Sequence, residues 1–137
     1  MKPGEAPVLL LAELADHSIL TGLTAIYGGT PMVFGDVVGA ELANSDDALA
    51  FAITLRETVA DDASGTLPQP RIALHVGAVD RGIHLLAIGH PGQILLSRSF
   101  HDLLEADLPP GTWLEDLGWH GLADHIQQPA TLDVHKQ

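Results

Sequence analysis

The sequence predicts one domain in which helices pack on a single sheet, of the α+β or α/β class. Short apolar runs typical of strands alternate with segments whose apolar residues recur at helical spacing. The apolar fraction of 46% and the length of 137 residues suffice for one packed core. No internal repeat or low-complexity segment interrupts this pattern, so we expect residues 1–137 to form a single domain.

Local signals define each element in the first half of the chain. Asp16 or Ser18 can begin one helix, and Asn44 or Ser45 another, because their side-chain oxygens accept the free N–H groups of a first helical turn. A Gly-Asp pair between two apolar runs favours a hairpin. The predicted elements are a strand over 7–14, a helix over 17–29, a hairpin over 30–43 that turns at Gly35-Asp36, and a helix over 44–62.

The second half of the chain is less regular. Segment 83–89 fits either a short helix or the return arm of a hairpin, because its apolar residues satisfy both spacings. A helix that begins at Arg98 is expected to end before Pro109-Pro110. The predicted elements are a loop over 63–70, a strand over 71–79, a turn over 80–82, a strand over 93–97, a helix over 98–108, and strands over 112–122 and 130–136.

Charge and composition limit the classes of partner that we expect this protein to bind. The chain has 18 acidic and 6 basic residues, a net charge of −12, so it repels nucleic-acid backbones and anionic membranes. Its apolar runs are shorter than the ~18 residues of a membrane span. It contains no cysteine. We therefore expect a cytoplasmic protein that has neither a nucleic-acid partner nor a membrane partner.

Several short motifs follow one another in an ordered series: VLLLAEL, GGTPMVFGDVVGAEL, DDALAFAITL, RIALHVGAV and HPGQILLSRS. In this order and spacing they resemble the class III adenylate/guanylate cyclase catalytic domain, and the resemblance covers nearly the whole chain. It implies an α+β fold with a ferredoxin-like βαββαβ core, here with a shortened helix region after the central strand. It also implies a dimer, either a homodimer or a heterodimer with a related cyclase-like domain.

The resemblance implies positions for the metal-binding and base-selecting residues of that family. Its two metal-binding carboxylates fall on Glu13, where the family usually has Asp, and on Asp36. The additional methylene of Glu13 moves its charge further than an octahedral Mg²⁺ site easily tolerates. The base-selecting lysine position falls on Met32, which cannot donate a hydrogen bond to a base edge. We expect no cofactor, except Mg²⁺ or Mn²⁺ if Glu13 and Asp36 survive as a vestigial site.

The segment after the central strand bears on catalysis. The family has a long helix there that carries an Asn and, one turn later, an Arg, and both stabilise the transition state. Here the Asn has no evident counterpart, and the Arg position falls on His84, whose neutral imidazole is a poor substitute for a guanidinium. Loss of even one such donor typically lowers a rate by roughly 10²–10³-fold. We expect no catalytic residues in this chain.

Three functions remain open from the sequence. The first is a catalytically inactive dimerisation or regulatory interaction module in signalling. The second is a non-hydrolysing nucleotide-binding sensor, and the third is a weak Mn²⁺-dependent nucleotide cyclase that uses Glu13 and Asp36. A structural explanation of the two carboxylates also stands: Asp36 shapes a hairpin turn and Glu13 ends a strand. The eight histidines lack the spacing of a zinc site.

Overall fold

The computed structural model of the protein describes residues 6–61, 68–105, 108, 110–122 and 126–136, with side chains up to residue 115. Eleven elements follow in order: β1 (Val8–Glu13), α1 (His17–Ile26), β2 (Thr30–Phe34), β3 (Val37–Leu42), α2 (Ser45–Ala60), β4 (Arg71–Val76), α3 (Val79–Ile88), β5 (Ile94–Ser97), α4 (Arg98–His101), β6 (Thr112–Leu122) and β7 (Ile126–Lys136).

One sheet of seven strands joins all of the strands in the order β2-β3-β1-β4-β5-β7-β6. Its first four strands pair antiparallel, and with α1 and α2 they form a β1-α1-β2-β3-α2-β4 unit. This unit is the expected ferredoxin-like core, so the predicted α+β class is confirmed. Strand β5 then pairs parallel to β4, and α3 makes the crossover between them. No helix in the described part of the chain is long and apolar enough to cross a membrane.

The two faces of the sheet carry separate apolar clusters. Alternate residues of β1 divide between them, because successive side chains of a strand point to opposite faces. Val8, Leu10 and Ala12 belong to the large cluster, which is completed by α1, α2 and α4. Leu9 and Leu11 belong to a small cluster completed by Leu85 and Leu86 of α3. Burial on both faces explains why β1 is a continuous apolar run.

Capping residues and one turn match the sequence prediction. Asp16 accepts the backbone N–H of Ser18 at 3.0 Å at the start of α1. Asn44 accepts the N–H of Asp47 at 2.8 Å at the start of α2. The β2–β3 hairpin turns at Gly35, whose φ of +62° favours glycine. Strand β2 lies at one edge of the sheet.

The region 77–88 corrects the sequence prediction. Residues 80–82 were expected to form a turn, but they belong to the first part of α3, and segment 83–89 is helical rather than a hairpin arm. The preceding strand ends at Val76, because Gly77 has a φ of +133°. Gly82 permits the helix to approach the sheet: a Cβ there would lie 2.7 Å from Cδ1 of Leu11.

Two further boundaries differ. Helix α4 ends at His101 rather than at 108, and the N–H of Glu105 donates instead to Oδ1 of Asp46 on α2, at 3.1 Å. Strand β7 begins at Ile126 rather than at 130, since it pairs with β6 from that point. Within the predicted loop over 63–70, only 68–70 fall among the described residues.

Candidate functional site

The structure brings Glu13 and Asp36 to the same end of the sheet. Ala12 of β1 pairs with Val38 of β3, so Glu13 lies beside the start of β3. Asp36 immediately precedes β3 in the hairpin turn. Both residues are exposed. The strand register thus places Glu13 and Asp36 at one end of the sheet, and their role as metal-binding carboxylates stays a prediction.

A cation already faces one of these carboxylates. Arg71 is the cross-strand partner of Glu13 between β4 and β1, and its Nη1 lies 3.8 Å from Oε1 of Glu13. The two side chains are 37% and 45% exposed, so water screens their attraction. Within the described ranges, no group of three or more His, Cys, Asp or Glu residues could hold a metal ion. Among the described residues, Glu13 and Asp36 therefore belong to no group of three such ligands, and the positive charge of Arg71 competes with a divalent ion at Glu13.

Met32 lies on β2, on the face of the sheet that α3 covers in part. It packs with Phe34 against the small apolar cluster and is only partly buried. Its cross-strand partner on β3 is Gly39. The thioether of Met32 is at most a weak acceptor, so this position offers a base van der Waals contact and no donor.

His84 lies on α3 and is partly buried. Its Nδ1 is shielded from solvent and has no hydrogen-bond partner among the described residues. Because α3 begins at Val79, a residue does precede His84 by one helical turn: Asp80. Asp80 is not an asparagine, so the absence of the transition-state Asn stays a prediction. An ionised aspartate only accepts hydrogen bonds, and Asp80 accepts one from the N–H of Arg81 at 3.0 Å.

A buried polar cluster lies near α3, and the sequence did not indicate it. His75 of β4 is 4% exposed, and its Nδ1 lies 2.8 Å from Oγ of Ser97, which ends β5. The Ser97 hydroxyl lies 2.9 Å from that of Ser99, which donates to the carbonyl of Val76 at 2.9 Å. Burial lowers the pKa of His75 most, and the positive charge of Arg81 adds to this, whereas Asp80 opposes it.

Comparisons with known proteins address the fold. No family model matches the chain. An uncharacterized protein of Mycobacterium tuberculosis is 32% identical over 121 residues, a match that takes in 78% of this chain and 41% of that protein. The chain thus spans less than half the length of this curated relative.

Solved structures match over nearly the whole chain. The guanylate cyclase domain of RhGC from Catenaria anguillulae, solved in complex with GTP, has a TM-score of 0.76 at 13% identity and covers 100% of both chains. An adenylate cyclase from Trypanosoma brucei in its monomeric state has a TM-score of 0.86 at 11% identity, covering 99% of this chain and 90% of that one. A dimeric guanylyl cyclase domain from Blastocladiella emersonii has a TM-score of 0.73 at 12% identity, covering 99% of both.

This chain has the fold of a class III nucleotide cyclase catalytic domain. The cyclase fold accounts for the βαββαβ core, the parallel β4–α3–β5 unit and the position of the β2–β3 hairpin beside the end of β1. It does not by itself assign an activity, since one fold hosts many functions. The four residues singled out in the sequence therefore have to be judged by their own chemistry: Glu13, Met32, Asp36 and His84.

Proposed function

We propose that this cyclase-fold domain is a regulatory interaction module that lacks cyclase activity. The observation that carries the proposal is the Glu13–Arg71 ion pair: the carboxylate at the first metal position faces a guanidinium at 3.8 Å. A divalent ion at that position would have to compete with the guanidinium of Arg71, and Asp36 lies at the same end of the sheet as a second carboxylate. Mg²⁺ prefers near-ideal octahedral oxygen ligands, which this pair does not supply.

The shortage of cations supports the same proposal. Stabilising a transferring phosphoryl group normally takes several fixed cations or a metal ion. Of the four internal arginines, Arg71 faces Glu13, Arg56 donates to the carbonyl of Gly92 at 3.3 Å, and Arg98 is also engaged. Met32 replaces the base-selecting lysine, and His84 replaces the transition-state arginine. A charged donor is therefore missing both for base binding and for transition-state stabilisation.

Part of the α3 face is suited to an interaction. Helix α3 packs chiefly on β4, β1, β5 and β6. At the other end of that face, Met32, Phe34 and Val37 are apolar and only partly buried. We infer that this apolar strip pairs with a second copy of the domain or with a related cyclase-fold domain. Of the similar solved structures, one is described as a non-canonical dimer and another as monomeric, so the inference rests on the apolar strip itself.

Two substitutions on the same strand test the interaction. Phe34 lies on the apolar strip, whereas Val33 lies on the opposite face of β2 and is 70% exposed. In sedimentation velocity we expect the wild-type protein to form a dimer, Phe34→Asp to be a monomer, and Val33→Asp to remain a dimer. A strictly monomeric wild-type protein with no captured cyclase-fold partner would contradict the proposal.

An activity assay tests the second half of the proposal. With ATP or GTP and either Mg²⁺ or Mn²⁺, we expect no cyclic nucleotide above the protein-free background. If product forms and disappears in the Asp36→Ala variant, Asp36 binds a catalytic metal and the domain is a cyclase.

A second candidate is nucleotide binding without turnover, because a similar fold has been solved in complex with GTP. Titration calorimetry with ATP, GTP and their cyclic products separates the candidates. Binding at micromolar affinity without turnover would favour this sensor. The absence of heat and of any rise in melting temperature at concentrations that should stabilise a binder would favour the interaction module.

A further inference from the structure

The hydrogen bonds around His75 determine which ring nitrogen carries the proton. The Ser99 hydroxyl donates its single proton to the carbonyl of Val76. The hydrogen bond between the two serines must therefore be donated by the Ser97 hydroxyl. Ser97 then has no proton left for the ring and accepts instead, both from the N–H of Phe100 at 3.3 Å and from His75. The neutral imidazole therefore carries its proton on Nδ1.

With the proton on Nδ1, Nε2 of His75 is unprotonated and can only accept a hydrogen bond, and it lies in the protein interior. The atom is shielded from solvent and has no hydrogen-bond partner among the described residues. The backbone of Gly77 closes it in, since a Cβ on that residue would lie 3.1 Å from Nε2. The proton chain runs from His75 through Ser97 to Ser99, so neither serine has a base that would make it a nucleophile.

The backbone beside Nε2 leads directly into the first turn of α3. The N-cap of this helix, Ala78, provides no side-chain hydrogen bond, and in the first turn the N–H of Arg81 donates to Oδ1 of Asp80 at 3.0 Å. The N–H of Gly77 donates to the carbonyl of Pro7 at 3.0 Å, and that of Gly82 to Ala78 at 3.3 Å.

The charges that act on the ring come from this same helical turn. Arg81 and Asp80 are both exposed on α3, the first disfavouring and the second favouring a positive imidazole. Among the described residues, Leu9 is the cross-strand partner of His75 on β1, and Ser97 and Ser99 contact it from β5 and α4; these three side chains are uncharged.

We propose that His75 is a proton-operated latch on α3. When Nε2 takes up a proton, the new N–H has no acceptor in the closed arrangement, and an unsatisfied buried donor is costly. The Gly77–Ala78 turn opens, the first turn of α3 leaves the sheet, and Asp80 becomes the counter-ion of the imidazolium. Lowering the pH therefore weakens the packing on the sheet of α3, the helix that carries His84.

Hydrogen exchange of the α3 amides tests the latch. After correction for intrinsic exchange rates, protection of α3 in the wild-type protein should fall as the pH is lowered from about 7.5 to 5.5, by at most about tenfold per pH unit for one proton. Protection of α2 should not follow. In His75→Gln the pH dependence of α3 should vanish, and in His17→Gln, a control at an exposed histidine of α1, it should persist.

Two further measurements keep the proposal falsifiable if His75→Gln does not fold. Nitrogen NMR of the wild-type imidazole should show the neutral ring protonated at Nδ1, and a proton on Nε2 would overturn the assignment. Asp80→Asn removes the counter-ion on the surface, so the opening of α3 should shift to lower pH. An unchanged midpoint in that variant, or α3 protection that is independent of pH in the wild-type protein, would overturn the latch.

Discussion

The two faces of the sheet differ in what they contain. The face under α1, α2 and α4 has the large cluster, which is almost wholly aliphatic and aromatic. The face under α3 has a small cluster and also His75, Arg71 and Glu13, which alternate with core residues along β4 and β1. All four residues that the resemblance singled out lie on α3, on β2, or at the sheet end near Glu13. The larger apolar cluster and the four candidate-site residues are thus associated with different parts of the sheet.

The largest expected effect comes from the large cluster. Phe51 of α2 is fully buried, and its ring stacks on that of Tyr27 with centroids 5.2 Å apart. Phe51→Ala removes this contact and leaves a cavity, so we expect the free energy of unfolding to fall by about 3–5 kcal/mol in urea denaturation. A loss below about 1 kcal/mol would show that this face does not hold the fold.

Two glycine-to-alanine substitutions, one on a helix of each face, compare how tightly the helices pack. In Gly82→Ala the new Cβ meets Cδ1 of Leu11 at 2.7 Å, so α3 must shift, and we expect a destabilisation of about 1–3 kcal/mol. Gly22→Ala on α1 meets nothing within 4 Å and should stabilise by about 0.5–1 kcal/mol, because alanine favours a helix. The same substitution should therefore change stability in opposite directions, as thermal unfolding of both variants would show.

The pH dependence of stability should also originate on the α3 face. The pKa of His75 is lowered on folding, chiefly by burial, so the unfolded chain binds the proton more readily. Its contribution to stability is complete above the unfolded pKa near 6.5 and is lost as the pH falls below it. Urea unfolding at pH 7.5 and 5.5 should show this loss, and His75→Gln should reduce it. An equal loss in both proteins would assign the effect to other groups.

The smallest effect is expected at the ion pair. Arg71→Gln should change the free energy of unfolding by less than about 1 kcal/mol, because both partners are well exposed. It should also strengthen Mn²⁺ binding at Glu13 and Asp36 relative to the wild-type protein, as titration with a paramagnetic readout would measure. Glu13→Gln is the matched control, since it removes the ion pair and the ligand together and should not bind Mn²⁺ more strongly.

Local signals in the sequence were sufficient for most elements. The apolar run of β1, the cap at Asn44 and the Gly-Asp turn each depend on neighbouring residues, and the structure confirms them. The beginning of α3 was misassigned because Asp80-Arg81-Gly82 has the composition of a turn. The close packing of Gly82 against Leu11 is a contact between distant segments, which local composition does not indicate.

Less of the candidate site than of the fold could be predicted from the sequence. The proximity of Glu13 and Asp36 was expected only from the resemblance. The ion pair with Arg71 depends on strand register, which periodicity does not define across β1 and β4. The His75–Ser97–Ser99 cluster joins residues 22 positions or more apart through a parallel strand pair, so no local pattern indicates it.

Strand β2 forms an open border of the sheet, and Pro31, its second residue, is paired with Ala40 of β3. Proline has no N–H, so this border offers an incomplete ladder to any strand that might add to it from another molecule. The consequence concerns aggregation, because fibrous growth usually starts at open sheet edges. Here Pro31 interrupts the row of backbone groups with which another strand would pair. Replacing Pro31 with valine would restore the missing donor, and faster aggregation of that variant on heating would identify the proline as the feature that keeps this border inert.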